Sequence, residues 1–315
     1  MVYTVTLNPA LDHIVFVSDL KAGELNLMNK ELIEAGGKGI NVSVVLSELG
    51  VKSRALGFVA GFTGGEIERR LRARDIDTDF IRLDSGNSRI NIKIKNHSAD
   101  SYTETEINSD GPEISDEALA SFFKMLSVIE DGDMLVLSGG VPRCLKRDIY
   151  EQILEYVSGK DIKVVVDASG ELLTSTLKHR PFLIKPNMEE LGEIFGDRPS
   201  SMLEAVAYAQ QLQEMGATNV LVSMAGEGAL LLEENGQTFY CKACKGKVRN
   251  SVGAGDAMLA GFVSAALDND TDMEYALMLG SAAGGAAAFS DGFPRKITIL
   301  DLMKTLLKEH AEKPL

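Results

Sequence analysis

The segment Asn250-Ser251-Val252-Gly253-Ala254-Gly255-Asp256 is followed by apolar residues at helical spacing, namely Leu259, Phe262, Val263, Ala266 and Leu267. Because Gly253, Ala254 and Gly255 carry almost no side chain, their backbone N–H groups can approach a bound anion closely. The first N–H groups of a helix are unpaired and lie at the positive end of its dipole. The pattern therefore predicts an anion site.

The carboxylate that ends this segment indicates a reaction at that site. Asp256 lies at the rim of the predicted anion site, where it can take a proton from a hydroxyl that attacks a phosphate. The pattern therefore predicts phosphoryl transfer from a nucleotide to an alcohol. The alternative is an ordinary turn in which Asp256 caps the helix, which is a common arrangement.

Bulk properties exclude several classes of protein. With 315 residues, the chain is long enough for a large α/β core, and we expect a single domain over residues 1–315. The net charge of −14 argues against nucleic acids and anionic membranes as partners. Met1–Leu7 lacks the features of a signal peptide and no apolar run is long enough to span a membrane, so a cytoplasmic enzyme is expected. Cys241 and Cys244 form a lone Cys-x-x-Cys pair, and we expect no zinc site there.

From Ser115 onward, helical segments alternate with short apolar strands. The predicted strands are Met134–Leu137, Val164–Asp167, Phe182–Lys185, Val220–Ser223 and Ala229–Leu232. This alternation predicts a doubly wound α/β sheet of mainly parallel strands flanked by helices. Ligands bind such sheets beyond the carboxyl ends of the strands. The polar and small residues found there are Ser138, Gly139, Asp167, Lys185, Asn187, Ser223 and Gly226.

A second kind of strand occurs earlier in the chain. Arg89-Ile90-Asn91-Ile92-Lys93-Ile94-Lys95 alternates strictly between polar and apolar residues, which is typical of a strand with two different faces. We predict a small two-piece β lid from residues 11–33 and 89–107. The polar face of the 89–95 strand is either solvated or part of a phosphosugar site, since a basic surface in an acidic protein suits an anionic ligand.

Three further motifs are candidates for ligand contacts. Asp12, after the first strand, can accept hydrogen bonds from sugar hydroxyls, or it is a turn residue that follows a proline. The glycine-rich loop Gly36-Gly37-Lys38-Gly39-Ile40-Asn41 is not a Walker A motif, because Gly39 stands where Ser or Thr should follow the lysine. Asn187 and Glu190 lie on one helical face, where they either hold Mg²⁺ through waters or cap the helix.

Together these motifs resemble the PfkB, or ribokinase-like, family of carbohydrate kinases. The late segment 250–256 and the early loop 36–41 are both signatures of that family, and they occur in the right order about 210 residues apart. Residues 6–12, Arg89-Ile90-Asn91 and Lys185-Pro186-Asn187 are similar to its phosphosugar branch. The resemblance implies a ribokinase-like fold, ATP and Mg²⁺ as cofactors, and a homodimer formed through the lid.

The resemblance also implies roles for matched residues. Asp256 is then the base, and the amides of Gly253, Ala254 and Gly255 stabilise the transferring phosphoryl group. The implied substrate-binding residues are Asp12, Gly37, Lys38, Asn41, Arg89, Asn91 and Ser138, with Lys38 and Arg89 facing the phosphate that the sugar already carries. The implied nucleotide-binding residues are Lys185, Asn187, Ser223, Gly226, Gly228 and Ser281. Asn187 and Glu190 match the Asn-x-x-Glu motif linked to magnesium.

The expected reaction is transfer of the γ-phosphoryl group of MgATP to a ketohexose monophosphate, with fructose 1-phosphate giving fructose 1,6-bisphosphate as the first choice. Ala60 and the segment 138–144 depart from the usual family pattern, which leaves the sugar open. The alternatives are tagatose 6-phosphate, fructose 6-phosphate or an unphosphorylated sugar. A non-catalytic phosphosugar-binding regulator and a nicotinamide oxidoreductase are the rival classes, and the missing dinucleotide fingerprint argues against the second.

Overall fold

A nine-stranded sheet forms the centre of the molecule. The computed structural model describes residues 1–97, 102–267 and 272–311. The strand order in the large sheet is β13-β12-β11-β10-β9-β8-β1-β4-β5. Its strands are β1 (Val2–Thr6), β4 (Ser53–Ala60), β5 (Asp77–Leu83), β8 (Met134–Ser138), β9 (Lys163–Asp167), β10 (Leu183–Ile184), β11 (Asn219–Ser223), β12 (Ala229–Leu232) and β13 (Thr238–Cys241). The central strands β1 and β8 are buried along their whole length, as expected of parallel strands that are covered on both faces.

Helices cover both faces of this sheet. One face carries α1 (Lys38–Leu49), α8 (Ala254–Ala265), α9 (Met273–Ala288) and α10 (Lys296–Ala311), which share one apolar core. The other face carries α3 (Asp116–Met125), α4 (Ile149–Val157), α5 (Gly170–Thr174), α6 (Met188–Phe195) and α7 (Met202–Glu214), which share a second core. The remaining helix, α2 (Gly61–Arg72), packs beneath the small sheet.

The predicted α/β class is confirmed, with differences at both edges of the sheet. β5 and β13 are strands that the sequence pattern did not predict. The expectation of parallel pairing is wrong for β12, which runs antiparallel to β11. The reason is the connection at residues 224–228, which is too short to hold the helical crossover that a parallel pair requires.

The lid is a separate four-stranded sheet with the order β3-β2-β6-β7. Its strands are β2 (Ala10–Val17), β3 (Met28–Gly36), β6 (Arg89–His97) and β7 (Tyr102–Ile107). The polar face of β6 is the buried one, since Asn91 is 7% exposed and Lys95 is 1% exposed. The prediction of a solvated polar face is therefore wrong. The opposite, apolar face is open: Ile33, His13, Ile92 and Ile107 form one row across all four strands, and Ile92 and Ile107 are 37% and 56% exposed.

The start of α8 depends on a glycine. Gly253 precedes the helix with φ of 80°, a left-handed conformation that a residue with a side chain rarely adopts. Asp256 lies in the first turn rather than at the cap position, so the capping alternative for Asp256 is wrong. Gly280 and Gly284 of α9 allow close packing on α8, because a Cβ at either position would lie within 3.1 Å of an α8 carbonyl oxygen.

In the part of the chain that the structure describes, every helix is either too short or too polar to cross a lipid bilayer.

Candidate active site

A cavity of about 1040 Å³ lies between the carboxyl ends of the large sheet and the inner face of the lid. The site residues that the sequence predicts line this cavity, with one exception. They are Asp12, Gly37, Lys38, Asn41, Arg89, Asn91, Ser138, Lys185, Asn187, Ser223, Gly226, Gly228, Gly253, Ala254, Gly255, Asp256 and Ser281. The exception is Glu190, which lies behind the wall and reaches Lys38 from there, with 3.8 Å between Oε1 and Nζ.

Asp256 lies at the start of α8, buried to 7% exposure. The Asn41 side-chain amide donates a hydrogen bond of 2.7 Å to Asp256 Oδ2 and so orients the carboxylate. Burial raises the pKa of Asp256 to about 6, and the charge of Asp167 adds to the rise, while the Asn41 hydrogen bond opposes it. A carboxylate with such a pKa is mostly ionised at neutral pH and still accepts a proton readily.

Two lysines meet at the buried carboxylate of Asp167, the last residue of β9. Lys38 Nζ lies 3.0 Å from Asp167 Oδ1, and Lys185 Nζ lies 3.4 Å from Oδ2. Burial tends to raise the pKa of Asp167, but the two ammonium groups hold it below its usual value. Burial tends to lower the pKa of Lys38, and the carboxylates around it, Asp167 first, raise it above its usual value. Lys38 is therefore charged.

The Lys185 ammonium also borders the glycine segment before α8. A Cβ built on Gly255 would lie 3.3 Å from Lys185 Nζ. The amides at the N-terminus of α8, of which that of Ala254 also donates to the Ser251 carbonyl at 3.4 Å, and a buried ammonium group therefore border the same small volume. This combination of donors and positive charge suits a phosphoryl group.

The lid supplies the polar groups at the other end of the cavity. Asp12 receives a hydrogen bond of 3.0 Å from the Asn91 amide and lies 2.8 Å from Lys93 Nζ. Asn91 Oδ1 is buried and has no hydrogen-bond partner among the residues that the structure describes. A buried acceptor without a partner is costly, so this atom is available to a ligand hydroxyl.

Arg89 differs from the other basic side chains that line the cavity. Lys38, Lys93, Lys185 and Arg198 each have a carboxylate oxygen within 4 Å. Arg89 instead donates from Nε and Nη2 to the backbone carbonyl of Asn8, at 3.1 and 2.7 Å, and has no carboxylate within 4 Å among the described residues. Its positive charge is therefore the least compensated of this group, which suits an anionic ligand.

Asn187 and Glu190 form a capping box at the start of α6. Asn187 Oδ1 accepts from the Glu190 amide and Glu190 Oε2 accepts from the Asn187 amide, each at 2.9 Å. The capping interpretation is therefore correct, and it leaves Glu190 Oε1 free to face Lys38. A single carboxylate oxygen, which Lys38 Nζ also approaches to 3.8 Å, fits Mg²⁺ held through water, since Mg²⁺ prefers to keep several waters.

The wall made by α9 and the loops around β12 is mostly apolar or small. Ser281 is 5% exposed, and in the described part of the chain its hydroxyl has no hydrogen-bond partner. Cys244 lines the same wall and its thiol lies 3.6 Å from the Ser281 carbonyl. Burial, with a smaller contribution from Cys241, raises the pKa of the Cys244 thiol to about 12, so it stays protonated. No disulfide joins Cys241 and Cys244.

Sequence reasoning did not assign several residues that line the cavity. They include Thr6, Glu106, Asn108, Arg198 and Phe289. Lys93 also lines the cavity, and it belongs to the polar face of the 89–95 strand that the sequence pattern offered as part of a phosphosugar site. Arg198 and Phe289 follow helices, where no local pattern indicates that the side chain reaches the cavity.

Comparison with known proteins places this arrangement in a family. The pattern of the pfkB family carbohydrate kinases matches residues 5–294. The chain belongs to this family. It is 46% identical to 1-phosphofructokinase of Bacillus subtilis (strain 168), over 92% of this chain and 93% of that protein. It is 37% identical to D-tagatose-1-phosphate kinase of Bacillus licheniformis, over 93% of this chain and 94% of that protein.

Solved structures agree with this membership. Phosphofructokinase-2 from Escherichia coli, in complex with substrates and products, superposes with a TM-score of 0.89 and 25% identity, covering 97% of this chain and 99% of that chain. The ribokinase-like fold and the resemblance to the family are thus confirmed.

The environment of Asp256 makes a prediction that needs no substrate. The carboxyl carbon of Asp256, observed by ¹³C NMR, is expected to titrate with a midpoint of about 6. Asn41→Ala is expected to raise that midpoint further, because the Asn41 hydrogen bond favours the charged form of Asp256 and the variant lacks it. Asn26→Ala, in the lid turn, is the control and should leave the midpoint in place. A midpoint near 4 in the wild-type protein would contradict the predicted effect of burial.

Proposed function

We propose that the chain transfers the γ-phosphoryl group of MgATP to the C6 hydroxyl of fructose 1-phosphate, giving fructose 1,6-bisphosphate and ADP. The observation that carries this proposal is the buried Asp256 carboxylate at the N-terminus of α8, next to the backbone amides of the glycine segment and two lysines. The 46% identity to a 1-phosphofructokinase over most of both chains supports the choice of sugar.

The proposed step balances as an in-line displacement. The Asp256 carboxylate accepts the proton of the C6 hydroxyl, the oxygen–phosphorus bond forms, and the bond from phosphorus to the β-phosphate oxygen breaks with its electron pair leaving on ADP. The amides of residues 253–255 and the Lys185 ammonium face the charge that develops on the phosphoryl oxygens. Each well-placed donor of this kind contributes about 3–4 kcal/mol to transition-state stabilisation.

Mg²⁺ bound to ATP supplies positive charge that neutralises the phosphate oxygens. Glu190 Oε1 is the group we propose to hold it through water, with Asn187 orienting Glu190 through the capping box. We propose that the nucleotide lies along the wall formed by Ser223, Gly226, Gly228 and Ser281, where the unpartnered Ser281 hydroxyl offers a hydrogen bond.

At the lid end, we propose that Arg89 binds the 1-phosphate and that Asp12 and Asn91 bind sugar hydroxyls. The resemblance implied that Lys38 also faces this phosphate. Its contacts with Asp167 and Glu190 favour a different role, because they place its charge with the groups around Asp256. We therefore propose that Lys38 contacts the transferring phosphoryl group, and that Arg89 alone of this pair binds the existing phosphate.

Tagatose 1-phosphate is the second candidate substrate. It differs from fructose 1-phosphate only in the configuration at C4, and two relatives, at 37% and 34% identity, are named for its phosphorylation. Both sugars carry the phosphate at C1 and present the same C6 hydroxyl to Asp256. The shared positions of the phosphate and the acceptor hydroxyl favour tagatose 1-phosphate over tagatose 6-phosphate, which was an alternative from the sequence.

A coupled ADP-release assay tests the reaction. The panel is fructose 1-phosphate, tagatose 1-phosphate, fructose 6-phosphate, tagatose 6-phosphate and fructose. We expect kcat/KM for fructose 1-phosphate to exceed the others at least about tenfold, or 1.4 kcal/mol.

Asp256→Asn should fold normally and lose at least about 10²-fold in turnover. Near-normal turnover in that variant would remove the base role, and no turnover of any sugar by the wild type would favour the non-catalytic regulator.

Arg89→Ala tests the phosphate contact. We expect the KM for fructose 1-phosphate to rise about 10- to 100-fold, because a charge-assisted hydrogen bond to phosphate is lost. The KM for ATP should stay within about threefold, since Arg89 lies at the lid end. Arg82→Ala, an exposed arginine of β5, is the control and should change neither constant. Equal increases in both KM values would show that Arg89 only supports the fold through Asn8.

We further propose that two copies of the chain associate through the apolar outer face of the lid. The row Ile33, His13, Ile92 and Ile107 crosses the whole sheet, and Ile90 extends it along β6. Ile90 is 44% exposed, and exposed apolar groups that form a continuous face mark association sites. A second copy offers the same face, as a two-fold interface requires.

Sedimentation velocity tests this association. The wild-type chain is expected to sediment as a dimer, and Ile92→Asp as a monomer, because a charge at the centre of the row cannot be buried without a partner. Ile297→Asp is the matched control: this isoleucine is exposed on α10, away from the lid, and its substitution should leave the dimer intact. A dimer that survives Ile92→Asp would place the interface elsewhere.

A further inference from the structure

Asp167 is a buried charged residue to which the reaction above gives no role. It is fully buried at the end of β9, and such a carboxylate is stable only where opposite charge and hydrogen bonds reach it. Its two oxygens are shared between lysines from different parts of the chain, Lys38 at the start of α1 and Lys185 just after β10. Ser138 Oγ completes the set at 3.5 Å from Oδ2.

Both lysines turn their ammonium groups toward the reacting centre. Lys185 Nζ borders Gly255, and the Lys38 charge interacts with that of Asp256. Two ammonium groups gathered at one place repel each other unless a carboxylate lies between them. A single carboxylate that binds each lysine through a different oxygen sets the spacing between the two cations.

We propose that Asp167 is a positioning residue for phosphoryl transfer: it holds Lys38 and Lys185 on either side of the phosphoryl position, and its negative charge acts on the base Asp256. This proposal rests on the proposed function in taking Asp256 as the base. Asp167 itself does not touch the substrate, because the two lysines occupy both of its oxygens.

The charges that face Asp256 come from four elements. Asp167, at the end of β9, favours the protonated form of Asp256, and Lys38 and Lys185 favour the charged form. Glu190 of α6 faces Lys38 and so offsets part of its effect. Removing Asp167 thus lowers the pKa of Asp256 for two reasons. A repelling negative charge is lost, and the two lysines are no longer neutralised.

A purely structural Asp167 would behave differently. Loss of a buried ion pair that only stabilises the fold would lower the melting temperature and reduce kcat by a similar factor at every pH. The pH at which activity falls on the acid side would not move, because a purely structural Asp167 would not influence the pKa of Asp256.

The experiment compares pH profiles of kcat/KM for Asp167→Asn, Lys185→Gln and the double variant. Asp167→Asn is expected to lower kcat at least tenfold, to change the KM for the sugar less than threefold, and to move the acid limb down by about 0.5–1.5 pH units. Lys185→Gln should move that limb up, and the double variant should return it toward the wild-type position. The phosphate groups of the substrates also titrate near pH 6, but equally in all variants, so only displacements between variants are read.

Tyr150→Phe is the matched control. This buried tyrosine donates to the Gly139 carbonyl at 2.9 Å, beside the same strand ends, and within the described chain it has no hydrogen bond to either lysine. It should cost stability without moving the acid limb. Circular dichroism and thermal melting establish that each variant is folded.

The ¹³C titration of Asp256 in the same variants separates this proposal from the choice of substrate, because it requires no turnover. A lower midpoint in Asp167→Asn supports the proposal even if no sugar of the panel is phosphorylated. An unchanged midpoint overturns it. If Asp167→Asn does not fold, Lys185→Gln tests the proposal instead. Loss of the Lys185 charge should raise the acid limb and the Asp256 midpoint, and a failure of both to rise would contradict the proposed balance of charge around Asp256.

Discussion

The active-site architecture depends on the ion-paired Asp167 carboxylate, which lies without exposure at the carboxyl end of a central strand. A charge at that depth is tolerated only because two ammonium groups and a hydroxyl reach it. Those lysines come from the start of α1 and the turn after β10, so the interaction brings together the glycine-rich early motif and the segment that opens α6. It also sets the electrostatic surroundings of Asp256, whose pKa rises to about 6 through burial and the neighbouring carboxylate.

The lid completes the site by reversing the usual arrangement of a half-exposed sheet. Its polar face is turned inward, where Asp12, Asn91 and Lys93 satisfy one another and leave one amide oxygen open to a ligand. Its apolar face is left outside. The polar groups that we propose to bind ligand lie on one face of the sheet and the face that we propose for association is the other. The substrate end of the cavity and the proposed dimer interface are therefore separated by the thickness of one sheet.

Local pattern explains why much of the site could be predicted. Glycines before an amphipathic helix, an Asn-x-x-Glu at a helix start and polar residues after apolar strands each have a short-range physical cause, and these residues line the cavity or stand just behind its wall. The partners could not be predicted in the same way. Whether Lys38 meets a sugar phosphate or Asp167 depends on how α1 approaches β9, 129 residues later in the chain.

The sequence by itself determined the fold class and the start of α8, because strand–helix alternation, glycine conformation and helix amphipathicity act over short distances. The family was indicated by the resemblance of the motifs at residues 36–41 and 250–256. The antiparallel β12 shows the limit of such prediction. An apolar run looks the same in either strand direction, and the length of the connection decides which direction the strand takes. The tertiary structure alone decided which face of the lid is buried, which lysines share Asp167, and that Arg89 lacks a carboxylate partner within the described chain. These features depend on long-range packing, because the fold determines which charged groups are buried next to one another.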